Sequence, residues 1–371
     1  MPAPLCGFLP VPPASVFLQP RATRARFDRA GGSIRDSHVL SSRPAEPGRE
    51  GTGMTQGTGR IDVHHHVLPE MYKAVQRAAG ITGTAYQGFP DWSPEKTLAL
   101  MDAHRIDTAI LSFTSPGIWF GDRAQTIGLA RQFNDYLAAL RDSNPSRFGG
   151  FAFLPLPDVD ASLAEIDRVF DDLKLDGITL LTSVDERYIG HSDFEPVYAA
   201  LNARRAAVFI HPCYPPGTEA VGWDVPRMIV DYPFETTRVA ANLIFSGVME
   251  RLPDIRFILS HAGGTLPMLA HRISIFDRKT RFTDRYPQGA LAYMKRFWFD
   301  IALSGDAVPL AALQGIADPA RILFGTDYPY VSEEVVAAET AGFDAYAGLA
   351  GEARRMAERG NAEALFPRLR A

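Results

Sequence analysis

The sequence predicts one closed, parallel (β/α)8 barrel behind an N-terminal extension. Two observations carry that expectation. After Arg60, eight short apolar runs alternate with eight longer amphipathic runs, which is the pattern of strands and helices wound into a barrel. No glycine-rich turn follows the first apolar run. The competing arrangement, a doubly wound open sheet, usually has fewer strands and often carries such a turn. A chain of 371 residues, 46% hydrophobic and 22% charged, suits a globular enzyme. One domain of ~250–300 residues can bury the core this requires.

The strand-like runs are 61–63, 108–113, 148–154, 177–181, 207–210, 256–260, 297–301 and 322–324. The first alternates apolar and polar residues, as a half-buried strand does. The helix-like runs are 94–104, 124–143, 161–173, 194–204, 236–252, 266–276, 307–316 and 333–343. Ser93 followed by Pro94 is an N-cap with proline at the first helical position. Two connections are long, 68–91 after the first strand and 212–235 after the fifth. Both leave the C-terminal ends of strands, the barrel face where active sites are built. A lid and a substrate pocket are expected there.

Residues 1–58 read differently, and 59–371 form the barrel domain. The extension is rich in Pro, Arg, Ser and Gly, with seven arginines against four acids and no sustained period. Pro10, Pro12 and Pro13 interrupt its one mildly apolar run, against a secretory leader. Its acids argue against a transit peptide, and Met54 is an alternative start. Disorder is expected throughout it. The net charge of −5 and the lack of a basic stripe speak against nucleic acid. No run of 18 apolar residues is present, so no membrane span is expected. Two cysteines, Cys6 and Cys213, give no disulfide framework and point to the cytoplasm.

The chemistry sits at strand ends. In Ile61-Asp62-Val63-His64-His65-His66, strand alternation places His64 and His66 on one side and His65 on the other. Residues i and i+2 lie about 6–7 Å apart along a strand, close enough for two imidazoles to close on one metal ion. The fifth strand runs into His211-Pro212, the sixth into Ser260-His261-Ala262-Gly263-Gly264, and the eighth into Gly325-Thr326-Asp327-Tyr328-Pro329. His64, His66, His211 and Asp327 form an N/N/N/O set. Such a set suits one divalent ion, zinc first with manganese or iron as the others, leaving a position for water or substrate. Each residue alone has a plain structural account: a core histidine satisfied by a carbonyl, or an Asx turn before Pro329. Their convergence on one rim does not. His104, His191 and His271 lack strand-end context. Cys213 beside His211 is a weaker ligand candidate. Phe113, Trp119, Tyr214, Trp223, Phe297 and Trp298 fall in or near rim loops. They offer an apolar slot for a flat substrate, or else they pack the barrel. We assign Trp223 to substrate binding.

From Arg60 to Pro329 the chain resembles the amidohydrolase superfamily. Within it the likeness is to the decarboxylase branch typified by aminocarboxymuconate-semialdehyde and γ-resorcylate decarboxylases. The resemblance rests on Asp62-x-His64-x-His66, His211-Pro212, 260–264, 325–329, 232–237 and 244–247. Through 61–66 and Trp92-Ser93-Pro94-Glu95 it is also similar to the 6-methylsalicylate decarboxylases. The resemblance implies that His64, His66, His211 and Asp327 hold the metal. It leaves His261 off the metal for proton transfer or orientation. Binuclear relatives carry a carboxylated lysine after the fourth strand; 178–183 contain none, which implies a single metal. Arg272 would bind the substrate carboxylate of a neighbouring subunit, implying a homodimer. A second carboxylate-binding arginine has no match here.

The implied reaction is metal-dependent, non-oxidative decarboxylation of a 2-hydroxybenzoate-like acid, with 6-methylsalicylate as an example. Asp327 could supply the proton with His261 tuning it, or His261 could act on a water. The alternative is a metal-dependent hydrolase of an amide, lactone or ester using an activated water. A hydratase is a third enzyme reading. A metal-stabilised interaction module would need an incomplete site.

Overall fold

The computed structural model describes residues 59–84, 87–217, 225–278 and 283–370. The expectation of disorder in 1–58 and the assignment of Trp223 lie outside these residues. Eight strands form one parallel sheet in chain order. They are β1 (Arg60–His66), β2 (Ile106–Ser112), β3 (Phe148–Phe153), β4 (Gly177–Leu181), β5 (Ala207–His211), β6 (Arg256–Leu259), β7 (Trp298–Asp300) and β8 (Ile322–Leu323). The last strand returns to the first. Val63 N donates to Phe324 O, Thr326 N and Asp327 N donate to His64 O, and His65 bridges Tyr328. The barrel is therefore nearly closed, and all eight expected strands are present.

The longer helices are α1 (Glu70–Ala78), α2 (Pro94–Ala103), α3 (Arg123–Ser143), α4 (Val159–Asp167), α5 (Glu195–Ala203), α6 (Asp231–Phe245), α7 (Leu266–Ser274), α8 (Ala307–Gln314) and α9 (Glu333–Ala345). Ser93 caps α2 by accepting from Lys96 N, and Asp122 and Asp158 cap α3 and α4 in the same way. Two expectations need correction. The connection 68–91 is not all loop, because it carries α1. The helix expected over 236–252 stops at Phe245, since Gly247 adopts φ +78°, and restarts as Val248–Arg251. None of the described helices is long and apolar enough to cross a membrane.

Inside the barrel, Ile61, Val63, Ile110, Phe151, Phe209 and Leu323 pack together. Leu365, Phe366 and Leu369 from the C-terminal segment join this cluster. A larger cluster lies between the sheet and the helices. The β1–β2 pairing shifts register between Asp62 and His65. That bulge lets Val63 serve the interior while the next residues turn to the rim. Of the aromatic slot candidates, Phe113, Phe297 and Trp298 are buried in the core, so they pack the fold instead of lining a slot.

Candidate metal centre

β1 and β8 are stitched together by Asp62. Its Oδ1 accepts from His64 N (3.0 Å) and Thr326 N (3.1 Å), and its Oδ2 accepts from Thr326 Oγ1 (2.6 Å). His65 turns away from the rim, with Nδ1 2.9 Å from Asp62 Oδ2. His64 and His66 turn toward it, as strand alternation requires. His211 arrives at the end of β5. Asp327 arrives just past β8 with φ +64°, a left-handed backbone that L-residues adopt at a cost and that recurs at functional sites.

The candidate donor atoms of His64, His66, His211 and Asp327 all lie within 4.8 Å of one another. His64 Nε2 is 3.0 Å from His66 Nε2 and 3.2 Å from Asp327 Oδ1, which is 3.0 Å from His66 Nε2. Two donors each ~2.0–2.1 Å from one ion stand about 3.0–3.4 Å apart, so the spacing fits. The outer ring nitrogens explain why the inner ones are free to ligate. His64 Nδ1 donates to Asp300 Oδ2 (3.0 Å), His66 Nδ1 to Ser112 Oγ (3.0 Å), and His211 Nδ1 to Pro212 O (2.8 Å). For His64 and His66 the acceptor holds a proton on Nδ1 and turns Nε2 to the centre, while Thr114 Oγ1 lies 2.8 Å from His211 Nδ1 and 3.2 Å from its Nε2. Two ring nitrogens 3.0 Å apart beside a carboxylate need positive charge between them, from a proton on His64 or from a bound cation in its place. The donor set therefore fits one divalent ion.

The electrostatics agree. Burial lowers His64, but the Asp300 and Asp327 carboxylates outweigh it and lift the imidazole to about 10. Burial dominates for His66, pulled down to about 4, and for His211, held well below the usual imidazole value. Burial raises Asp327, yet the His64 charge and the neighbouring His261, His64 and His66 imidazoles hold it well below the carboxylate range. A pocket that keeps one carboxylate ionised among three histidines is built for positive charge.

His261 stands beside this set. Its Nε2 is 3.5 Å from Asp327 Oδ2, the oxygen turned away from His64 and His66. Neither of its ring nitrogens has a hydrogen-bond partner. Residues 261–264 all take positive φ. A Cβ at Gly264 would meet Pro233 O at 2.0 Å, so only glycine fits that turn. Asp300 Oδ1 accepts from His261 N (3.1 Å) and Ala302 N (3.0 Å). One carboxylate thus orients His64 and pins the backbone of His261. The sequence reading missed this role. Its one signal was an acid inside the apolar strand 297–301.

A cavity of about 820 Å³ opens over the centre. His211, His261 and Asp327 line it together with Tyr214, Tyr232, Tyr330 and Phe89. Burial raises the Tyr232 and Tyr330 phenols well above their usual value, keeping them neutral. Trp119 and Cys213 line an adjoining cavity of about 350 Å³, where Cys213 Sγ bonds to Thr182 and Ser183 hydroxyls and is no ligand of the set. Arg272 is exposed on α7 and lines neither cavity.

Residues 61–368 match the amidohydrolase family model, and the chain belongs to that family. It is 40% identical over 326 residues to a decarboxylase of Penicillium terrestre, covering 84% of this chain and 96% of the relative. It is 38% identical over 317 residues to the 6-methylsalicylic acid decarboxylase of Penicillium expansum, covering 84% and 97%. Among solved structures it superposes on a dihydroxybenzoic acid decarboxylase of Polaromonas sp. JS666 with bound manganese and the inhibitor 2-nitroresorcinol. The TM-score is 0.70 at 25% identity, covering 84% and 98% of the two chains.

Proposed function

We propose that this protein is a metal-dependent carboxy-lyase that removes carbon dioxide from a 2-hydroxybenzoate, without an oxidant. The observation that carries this reading is the meeting of two systems at one cavity floor. A buried His64/His66/His211/Asp327 set lies there, and His261 faces the outer oxygen of Asp327. A divalent cation held by those four residues would polarise the substrate's carboxylate and phenolate oxygens.

The chain's own groups supply the rest. The cavity's aromatic walls, Phe89, Tyr214, Tyr232 and Tyr330, accept a flat ring and exclude water. Asp327 Oδ2 and His261 Nε2 together form the proton-transfer pair. A proton passes from this pair to the ring carbon that bears the carboxylate. The carbon–carboxylate bond then breaks, its electron pair returns to the ring, and carbon dioxide leaves as aromaticity is restored. Asp327 Oδ2 and His261 Nε2 stand 3.5 Å apart, so both are placed to carry that proton to the ring.

The finer assignments belong to the same proposal. Zinc suits three imidazoles and a carboxylate, and manganese is supported by the Polaromonas relative. Arg272, exposed on α7, would reach the carboxylate in a second copy and make the working unit a homodimer. The cytoplasm suits a buried free thiol at Cys213. The deciding experiment is carbon dioxide release from a panel of 2-hydroxybenzoates, with metal content measured on the same sample. Release that chelation abolishes and one metal per chain restores supports the reading. A metal-replete sample that releases none overturns it and turns attention to lactone and amide hydrolysis.

A further inference from the structure

Gln76 is a buried amide whose Nε2 has nothing to bind. It is 3% exposed, its Nε2 has no hydrogen-bond partner, and it lines the cavity above the metal centre. Most buried polar groups in proteins are paired, so an orphan bordering a cavity calls for a reason. Its presentation is not slack. Gln76 lies one turn after Tyr72 on the inward face of α1. Tyr72 OH donates to Thr114 O at 2.6 Å and accepts from Gly117 N at 3.2 Å, anchoring the helix to the loop after β2. Ile81, Thr84 and Phe89, from the connection that follows α1, line the same cavity.

The cavity's charge pattern narrows the ligand. Among the described residues lining it there is no lysine or arginine, and Gln76 is the one carboxamide. Gln76 is not one of the four candidate ligands, and its Nε2 makes no hydrogen bond to them or to His261. An amide in an apolar wall reads a neutral oxygen, since it can donate to or accept from a hydroxyl. We infer that Gln76 is a specificity-determining residue. It hydrogen-bonds a second ring hydroxyl, distinct from the one beside the carboxylate. The substrate class becomes a dihydroxylated benzoate, and a salicylate bearing only a methyl group would leave the amide unpaired. This rests on the decarboxylase reading above.

The test uses the metal-loaded full chain and matched substrates: 2-hydroxy-6-methylbenzoate and its counterparts with one further hydroxyl at position 3, 4 or 5. The wild type is expected to favour at least one hydroxylated counterpart by about ten-fold or more in kcat/KM, because a site built to bond a hydroxyl rejects the analogue lacking it. Gln76→Leu is expected to erase that preference while leaving 2-hydroxy-6-methylbenzoate within about three-fold. It should keep or raise Tm, because an apolar side chain replaces an unpaired buried amide. Gln76→Glu keeps the size and should weaken every benzoate through charge repulsion. A wild type with no such preference, or a Gln76→Leu loss shared equally by all four compounds, overturns the inference. If no benzoate is decarboxylated, the functional reading fails by itself. Binding of the same four compounds, followed by calorimetry, then decides Gln76 on the same criteria.

Discussion

Replacing Asp300 with Asn tests the centre without touching a ligand. Asp300 is fully buried and accepts three hydrogen bonds: one from His64 Nδ1 through Oδ2, and two from the His261 and Ala302 amides through Oδ1. Asn retains one acceptor oxygen and places an NH2 group where the other was. If that oxygen serves His64, two backbone N–H groups face a donor. If it serves the amides, His64 Nδ1 loses its acceptor and its tautomer is no longer fixed. Each buried donor left unmade costs about 1–3 kcal/mol. Losing the carboxylate behind a ligating histidine typically costs 10–100-fold in metal affinity. That corresponds to about 1.4–2.8 kcal/mol at 1.4 kcal/mol per tenfold. Asp300→Asn should therefore raise the metal Kd 10–100-fold in a chelator competition and lower Tm of the metal-free protein. The reasoning is refuted if Asp300→Asn binds metal with wild-type affinity, since Asp300 would then be a packing residue with no hold on His64.

The remaining predictions address the ligands, the proton pair and the extension. His211→Ala should lose metal and activity together; stoichiometric metal with full turnover would remove His211 from the set. His261→Asn should keep the metal and lower kcat by about 10²-fold or more, as loss of an acid–base group does. Unchanged kcat would restrict His261 to shaping the turn. Deleting residues 1–53 should leave the melting transition and turnover intact, and a collapsed transition would show that the extension stabilises the barrel.

How far the site could be read from sequence follows from where each residue's partner lies. His64, His66, His211 and Asp327 were legible because each lies at or just past the C-terminal end of a strand. A closed barrel turns separate strand ends into neighbours on one rim. Asp300 follows the same rule at the end of β7. Alone in an apolar strand it resembles any satisfied core acid, and its role depends on His64, 236 residues away in sequence. Gln76 was hidden for a local reason. Its helix spans nine residues, and its N-cap is Pro69 with no side-chain cap bond, so no start signal separates it from the loop. The aromatic residues near the rim show the limit from the other side. Phe113, Phe297 and Trp298 share composition and strand-end position with a substrate slot, yet they pack the core.

Local pattern determined the eight-fold alternation and the metal-ligating residue types, because strand and helix periods and strand-end positions are properties of neighbouring residues. Tertiary structure decided which nitrogen of each histidine faces the metal. It also decided which oxygen of Asp327 faces His261, and that Gln76 meets the cavity unpaired. Those outcomes depend on hydrogen-bond partners and burial supplied by distant segments, and no local period encodes them.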